Sequence, residues 1–349
     1  MAYISFQPSD YYNTKLYTGN GTAIGSGGQA ITGVGFQPDM VWVKQRDGTE
    51  KNDLCDAVRG TTKTLTPNST AEEVTNTETL TTFGADGFTV GNSGSWNNNT
   101  STYASWNWKA GTTAVPSGGT ITPSACSFNT TSGFGIYTYT GNGTSGATIA
   151  HGLGKVPTMM FVKITDGATL NWMSYNPDVG NDRALFLNLT NAPDVSATYW
   201  NSTTPTSTLF SLGNAVGTNN SGDDYVAYVW TDIQGYSKFG KYLGNGNADG
   251  QFIYTGFRPA FLLLKRYSTT GQWMLYDSKR LGYNELNYDF QTTNTNAERT
   301  TGPYLDILSN GFKLRNTDTD FNGSGNSILY AAFAEFPIVS SNGLPGPAR

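Results

Sequence analysis

An apolar run that begins with proline and ends with lysine occurs three times along the chain. The copies read PDMVWVK at 38–44, PTMMFVK at 157–163 and PAFLLLK at 259–265. Four consecutive apolar positions in each copy predict a central β-strand that is buried on both faces. Proline is tolerated at the first position of a strand. The lysine is expected to mark the point where each strand emerges from the core.

A second pattern is a tyrosine-led aromatic stretch, which predicts a strand with every second residue facing a core. Its copies are YASWNW at 103–108, YVAYVW at 225–230 and YAAFAEF at 330–336. The residues predicted to face the core are Ala104, Trp106 and Trp108, then Val226, Tyr228 and Trp230, and finally Ala331, Phe333 and Glu335. The glutamate breaks the pattern, so the third core is expected to differ there or to end earlier.

A glycine-rich phrase precedes each apolar run. It reads YTGNG at 17–21 and at 139–143, and YLGNG at 242–246. Asn-Gly between strand residues is the strongest short-range signal for a β-hairpin, because both residues tolerate positive φ. The three landmarks recur in fixed order, so we predict one structural unit repeated three times.

These patterns predict an all-β protein with three serial antiparallel β-sandwich domains, jelly-roll-like, because helical periodicity is nearly absent. The stretch between the first two units is rich in Gly, Pro, Ser and Thr, which is typical of a linker. The predicted divisions are an N-terminal segment at 1–16, sandwiches at 17–111, 125–232 and 233–337, a linker at 112–124, and a flexible tail at 338–349.

Composition limits the classes of partner. Charged residues make up 13% of the 349 residues, the net charge is −5, and basic residues never cluster. A surface that follows phosphates needs clustered lysine and arginine, so no nucleic-acid partner is predicted. No apolar run approaches the roughly 20 residues that span a membrane, and no signal peptide is predicted. Cys55 and Cys126 occupy non-equivalent places and are predicted to be free thiols.

Residues that could perform catalysis are scarce. His151 is the single histidine, and it precedes a glycine turn as a strand-end residue would; any Ser-His-Asp or Cys-His site would have to use it. A glycosidase needs paired carboxyl groups. The candidate glutamates do not recur at matching positions: Glu72, Glu73, Glu78, Glu285, Glu298 and Glu335. We therefore predict no catalytic residues, no cofactor, no metal ligands and no enzymatic activity.

One loop has the opening spacing of a calcium site. Asp318, Asp320 and Asn322 precede Gly323 as in a calcium-binding loop. The closing glutamate is absent, because position twelve is Leu329, and the flanking residues form strand patterns. Two interpretations remain open here, a hairpin connection and a weak calcium site.

Three aromatic residues stand among asparagine, serine and threonine. They are Trp96 in NSGSWNNNTST and Tyr199 and Trp200 in SATYWNSTTP. Aromatic rings can stack on sugars while neighbouring amides bond hydroxyl groups, and they can equally cover a neighbouring domain or subunit. We predict that these loops contact a host glycan or a partner chain.

The landmark residues carry a resemblance to a known family. GFQPDMVWVK, DAVRGTTKTL, NSTAEE, GADGFTVGNSG and YASWNWKAG, all within 17–111, resemble an uncharacterised repeat domain common in marine bacteriophage virion proteins. Such proteins are often labelled tail-fibre or structural proteins. The second copy is also similar from GFGIYTYTGNG through KVPTMMFVK, and the third copy is a looser relative.

The resemblance implies a structural protein of a phage particle that is assembled in the host cytoplasm. It could be a tail fibre or spike, or a head fibre or decoration protein, and no residue distinguishes these positions. The expected partners are other virion proteins, further copies of the chain in a homotrimer, and host-surface polysaccharide. Residues 1–16 are then a candidate docking segment. The competing hypotheses are a tail-associated glycan depolymerase and a bacterial surface lectin.

Overall fold

The chain folds into antiparallel β-sheets, which confirms the predicted all-β class. The structure, a computed structural model, describes residues 4–337, so the predicted tail at 338–349 lies outside the described residues. Within residues 4–337, no helix is long and apolar enough to cross a membrane. The two α-helices found there have four residues each, α1 at Gly94–Asn97 and α2 at Val216–Asn219.

The strands fall into three repeats, numbered here in chain order. Repeat 1 contains β1 (Tyr12–Thr18), β2 (Gln29–Thr32), β3 (Met40–Gln45), β4 (Asp53–Asp56), β5 (Lys63–Thr64), β6 (Val74–Thr75), β7 (Leu80–Gly84), β8 (Gly87–Val90) and β9 (Thr102–Trp108). Repeat 2 contains β10 (Ala125–Asn129), β11 (Phe134–Thr140), β12 (Ala147–Ala150), β13 (Pro157–Ile164), β14 (Met173–Tyr175), β15 (Arg183–Phe186), β16 (Asp194–Val195), β17 (Leu209–Leu212) and β18 (Asp224–Thr231). Repeat 3 contains β19 (Ser237–Leu243), β20 (Phe252–Tyr254), β21 (Phe257–Arg266), β22 (Trp273–Asp277), β23 (Phe290–Gln291), β24 (Leu305–Leu308), β25 (Gly311–Leu314) and β26 (Ser327–Pro337).

Each repeat combines a main sheet with a small sheet. The main sheets have the strand orders β1-β9-β3-β4, β10-β11-β18-β13-β14-β15-β16 and β19-β26-β21-β22-β23. The small sheets have the orders β2-β8-β7, β12-β17 and β20-β25-β24. Apolar side chains from the two sheets of a repeat form one hydrophobic cluster, which we call the repeat core. Two packed sheets around one core are the sandwich arrangement.

A fourth hydrophobic cluster belongs to all three repeats at once. We call it the central core; it includes Trp106 and Trp108 of repeat 1, Phe161 and Trp230 of repeat 2, and Phe333 of repeat 3. Most of its other members come from strands of the three main sheets, so each main sheet is covered on both faces. The repeats are therefore joined side by side around shared apolar side chains, which the prediction of serial domains did not include.

The central strands show how both faces become buried. In β3, Met40 and Trp42 belong to the central core, whereas Val41 and Val43 belong to the repeat core. The equivalent strands β13 and β21 divide their side chains in the same way. Successive residues of a strand point to opposite faces, so an unbroken apolar run supplies two cores. Burial on both faces is confirmed, and its cause is the neighbouring repeats.

The tyrosine-led strands also face the central core, with one correction of register. Tyr17 pairs with Tyr103 and Tyr139 with Tyr225, but Tyr242 pairs with Ile328. The core-facing residues of the third copy are therefore Leu329, Ala331 and Phe333. The alignment on Tyr330 was wrong by two residues, and Glu335 lies beyond the equivalent position rather than breaking the pattern.

Side-chain hydrogen bonds close the three repeats into a ring. The donors lie at the start of the strand that follows each central strand: Asn52, Trp172 and Trp273. The Asn52 Nδ2 atom lies 3.1 Å from Asn294 O in repeat 3, Trp172 Nε1 lies 3.0 Å from Thr66 O in repeat 1, and Trp273 Nε1 lies 2.9 Å from Phe186 O in repeat 2. Each repeat thus bonds the preceding one, and this head-to-tail contact closes after three units.

The N-terminal segment and the linker are part of this body. Ile4 and Tyr12 belong to the central core, and β1 is paired along its length with β9. Residues 4–16 are therefore part of the folded body, and the docking of residues 1–16 on a particle stays a prediction; residues 1–3 lie outside the described part. Residues 112–124 connect β9 to β10, as predicted for a linker, yet Ile121 is buried in the repeat core of repeat 2.

The glycine-rich phrase is not a hairpin turn, which corrects its prediction. β1 and β2 lie in different sheets, and a buried asparagine at the end of α1, Asn97, bonds to the phrase between them. The Asn97 Oδ1 atom accepts from Asn20 N at 2.7 Å, and Asn219 and Asn322 bind the other two phrases in the same way. The last glycine of the first phrase, Gly21, has φ of 68°, where glycine carries no steric penalty.

This asparagine contact supports a first prediction. Replacement of Asn97 with alanine removes a buried amide that accepts from Asn20 N at 2.7 Å and from Gly21 N at 3.3 Å and that donates to Asn20 Oδ1 at 3.2 Å. We expect the free energy of unfolding to fall by about 1–3 kcal/mol, as measured by urea denaturation. The exposed Asn99 is the matched control, with a change within about 0.5 kcal/mol. Equal effects at both positions would contradict the docking role of Asn97.

Candidate functional site

The two tryptophans predicted to contact a glycan or partner are buried. Trp96 is 0% exposed and its indole N–H donates to Asp53 at 3.0 Å. Trp200 is 1% exposed and donates to Arg183 O at 2.8 Å. A side chain without accessible surface cannot stack on a sugar, so neither indole is placed to bind a glycan directly, and the contact of their loops with a partner chain stays a prediction. Each lies in the core of its own repeat.

Tyr199 is the member of the predicted set that keeps some exposure. Its side chain is partly buried against the core of repeat 2 and its hydroxyl group donates to the Asp194 carboxylate. Its ring packs edge-on against Phe186 with centroids 6.4 Å apart. Burial raises the pKa of Tyr199 above its ordinary value. The hydroxyl group is already committed to Asp194, so Tyr199 offers an external ligand little beyond the exposed part of its ring.

His151 fits its interpretation as a strand-end residue. It follows β12, precedes Gly152, and is 0% exposed. Its Nδ1 atom accepts from Leu153 N at 3.2 Å, and its Nε2 atom lies 3.2 Å from Thr206 O. Burial lowers the pKa of His151, so the ring is neutral and both nitrogens are used to hold the local backbone.

Both aspartates of the calcium-like loop have partners within the protein. Asp320 pairs with Arg266 at 2.9 Å, and Asp318 Oδ1 accepts from Asp320 N at 2.8 Å. The loop runs from β25 in the small sheet to β26 in the main sheet, so the hairpin interpretation is wrong. Among residues 4–337, no group of three or more His, Cys, Asp or Glu side chains is placed to hold a metal ion.

A buried ionic cluster lies where repeat 3 meets repeat 1. Arg280 is bound to Asp277 at 2.6 Å and to Glu298 at 3.0 Å, and Glu298 also binds Arg46 of repeat 1 at 2.9 Å. Asp277 also accepts from the Trp106 indole N–H of repeat 1 at 3.1 Å. The cluster therefore joins repeats 3 and 1. The guanidinium of Arg280 has a partner at each of its nitrogens, so it offers no free charge to a ligand.

An equivalent cluster lies where repeat 1 meets repeat 2. Asp56 binds Arg59 at 2.5 Å and accepts from the Tyr228 hydroxyl group of repeat 2 at 2.6 Å. Arg59 also binds Glu73 at 3.0 Å. Tyr228 occupies the same strand position as Trp106, as the register shows. Each carboxylate therefore receives a hydrogen bond from the neighbouring repeat.

The third junction lacks the acid, the base and the donor of this cluster. The counterparts of Asp56 and Arg59 in repeat 2 are Asn176 and Val179, and the counterpart of Tyr228 in repeat 3 is Ala331. The acid, the base and the donor from the next repeat are all replaced by neutral residues. An unpaired buried charge is strongly destabilising, so these replacements are compatible only when they occur together.

The three lysines that end the central strands are buried, which corrects the prediction that they mark where the strands emerge. Lys44 is 1% exposed and Lys163 and Lys265 are 0% exposed. Lys163 Nζ donates to Thr70 O of repeat 1 at 3.2 Å, and Lys265 Nζ donates to Thr190 O of repeat 2 at 2.9 Å. Lys44 lies 5.6 Å from the ring centroid of Phe290 in repeat 3. All three lysines contact the preceding repeat in the ring.

These lysines predict a rise in stability with pH. Burial lowers the pKa of Lys44 and Lys163 to about 8 and that of Lys265 to about 7, against an ordinary 10.5. At a pH between the lowered pKa of each lysine and its ordinary pKa of 10.5, the unfolded chain binds more protons than the folded chain. The free energy of unfolding therefore increases with pH in this range. We expect the urea midpoint to rise from pH 7 to pH 9, and Lys265→Met to reduce the slope. A flat or falling midpoint in the parent protein would contradict this account.

An open groove lies between repeat 1 and the start of repeat 2. It has a volume of about 640 Å³ and its lining includes Asp39, Lys109, Cys126 and Ser127. Asp39 accepts from Ala110 N at 2.8 Å and from Ser127 Oγ at 3.0 Å, so its oxygens are engaged. A glycosidase needs two carboxyl groups, and Asp39 is the sole carboxylate in this lining. Cys126 and Cys55 are free thiols, as predicted.

The exposed aromatic residues are not those predicted from the sequence. Phe252 is 43% exposed and Tyr254 is 57% exposed, side by side on the outer face of β20. The equivalent strands place Ala30 and Thr32 in repeat 1 and Thr148 and Ala150 in repeat 2 at these positions. Alignment of the repeats on Ile31, Ile149 and Ile253 would have identified this pair as the exception.

A family model described as a domain of unknown function (DUF7483) matches residues 7–337. No curated protein matches the chain, and no solved structure does. The matched region runs through all three repeats and accounts for most of the 349 residues. The chain therefore belongs to the DUF7483 family.

Proposed function

We propose that this protein is a non-catalytic structural component of a bacteriophage particle. It is a tail fibre or spike, or a head fibre or decoration protein, and it binds other particle proteins or host glycans through its surface. The proposal starts from the resemblance of residues 17–111 to repeat domains of phage virion proteins. The observation that carries it is the central core, which joins the repeats into one body suited to a structural role.

The buried charges support a structural role. Arg280, Asp277 and Glu298 join repeats 3 and 1, and Asp56 and Arg59 contact repeat 2. Perturbed titratable groups at an active site usually face a cleft, whereas these groups lie within the repeat junctions. Their ion pairs and hydrogen bonds stabilise the contacts between the repeats.

The closed ring affects how copies of the chain associate. A homotrimer was expected from the resemblance, and such a trimer would be built from head-to-tail contacts between equal units. The three repeats of one chain already make those contacts through Asn52, Trp172 and Trp273. A trimer of chains would therefore have to use surfaces outside the ring contacts.

The proposal is tested on purified particles of the phage that encodes the chain. Gold-labelled antibodies against the protein should decorate intact particles at one structural position, and protein quantification should give a fixed copy number per particle. Detection only in the soluble fraction of infected cells would refute the proposal. Release of reducing sugar from host polysaccharide by the purified protein would favour the depolymerase instead.

A further inference from the structure

The linker supplies an extra strand to one edge of repeat 2. Thr148 in β12 accepts from Ile121 N at 2.9 Å, and its own N–H donates to Thr120 Oγ1 at 2.8 Å. Ile121 and Ile149 form a parallel bridge, and the Ile121 side chain is 6% exposed within the repeat core. The outer edge of β12 is therefore covered by an extended segment running parallel to it.

A glycine allows this segment to approach closely. A Cβ atom on Gly119 would lie 2.6 Å from Thr148 O and 2.8 Å from Ala150 N. Both distances are too short for non-bonded atoms, so the position next to the edge requires glycine. The covering segment has the sequence Gly-Gly-Thr-Ile at 118–121, in which the glycine at 119 is required by the close approach.

The same edge in repeat 3 has no covering strand among residues 4–337. β20 is an edge strand of its sheet, and Ile253 pairs with Phe312 as Ile149 pairs with Phe210. Gln251 and Thr255 bond to β25 and its flanking residue. Because alternate residues of an edge strand direct their backbone groups outward, the N–H and C=O of Phe252 and Tyr254 face away from the sheet.

The side chains beside this open edge are also unusual. Native proteins protect exposed edges with charges, proline or a cover, whereas β20 presents the exposed rings of Phe252 and Tyr254. The fold does not require them, since repeats 1 and 2 have small residues at both positions. Exposed apolar side chains that flank unpaired backbone groups are a typical arrangement for strand addition.

We propose that the outer edge of β20 binds an extended segment of a partner protein by strand addition. The segment runs parallel to β20, as residues 119–121 run along β12, with glycine at the point of closest approach and a β-branched apolar residue two positions later. Phe252 and Tyr254 cover the side chains of the added strand. The inference rests on the proposed function only in naming the partner as another particle protein.

The test uses the full-length chain and a fluorescein-labelled peptide of residues 117–123, SGGTITP. Fluorescence anisotropy should give saturable binding with a dissociation constant below about 1 mM. Phe252→Pro removes one outward N–H that the added strand would bond, so it should weaken binding at least tenfold. The variant should still fold, because proline is tolerated on an edge strand. Phe252→Ala combined with Tyr254→Ala, which leaves the backbone unchanged, should also weaken it. Circular dichroism verifies that the variants are folded.

Two controls separate this edge from the others. Ala30→Pro changes the equivalent position of β2 in repeat 1 and should leave binding unchanged. The peptide carrying Gly119→Ala should bind at least tenfold more weakly than the parent peptide. No binding of the parent peptide, equal binding of both peptides, or loss of binding with Ala30→Pro alone would overturn the proposal. These outcomes do not depend on whether the protein is found on a phage particle.

Discussion

Replacement of Trp108 with alanine is expected to destabilise all three repeats together, by about 3–5 kcal/mol. Trp108 is 2% exposed and lies in the central core. Its ring centroid lies 5.0 Å from that of Tyr12, 6.4 Å from Trp230 of repeat 2, and 5.5 Å from both Phe261 and Phe333 of repeat 3. The cavity left by the indole would be lined by residues of every repeat.

Denaturation and hydrogen exchange together measure this effect. The urea midpoint should fall, and exchange should accelerate in β13 and β21 as well as in β3 and β9. Tyr254→Ala removes an exposed aromatic side chain and should change stability by no more than about 0.5 kcal/mol. Faster exchange confined to repeat 1 would show that the repeats unfold independently.

Replacement of Arg280 with valine is expected to cost about 3–5 kcal/mol, because Asp277 and Glu298 then lose a buried cation. Arg280 and Asp277 side chains are both 0% exposed. Repeat 2 shows how the same site works without charge, with Asn176 and Val179 in the two positions. Combining Asp277→Asn with Arg280→Val should therefore recover a large part of the loss.

A double-mutant comparison decides between packing and charge as the cause. If the double variant is at least about 1 kcal/mol more stable than Arg280→Val alone, the unpaired carboxylate accounts for the loss. If the two variants are equally unstable, the stacking of the guanidinium 4.5 Å from the Phe290 ring centroid is the larger contribution. That result would contradict the electrostatic account of the junction.

The sequence predicted the strands well because periodicity reports how each face of a strand is covered. It could not predict which partner covers a face: Val41 packs within its repeat and Trp42 packs against the other repeats, yet both are simply apolar. The central core was missed for this reason. The register error at Tyr330 has a related cause, because a shift of two residues keeps every side chain on the same face.

The residues that adjoin Trp96 and the three lysines in the sequence did not predict the side chains that surround them in the fold. Trp96 is flanked by polar residues, but its partner Asp53 is distant in sequence and buried with it. Lys44, Lys163 and Lys265 stand at strand ends in the sequence, but all three contact another repeat. Loop carbonyl groups accept hydrogen bonds from Lys163 and Lys265, and Lys44 lies over the Phe290 ring. Contacts between distant segments cannot be read from one window of the chain. Phe252 and Tyr254 were detectable only by comparing the repeats with each other.

Differential scanning calorimetry of the full-length chain tests the shared core most directly. Because all three main sheets bury one face in common apolar contacts, we expect one thermal transition. Its calorimetric enthalpy should equal its van't Hoff enthalpy, with a ratio of about 1. Two or three separable transitions, each with its own enthalpy, would show that the repeats are independent domains and would contradict this account.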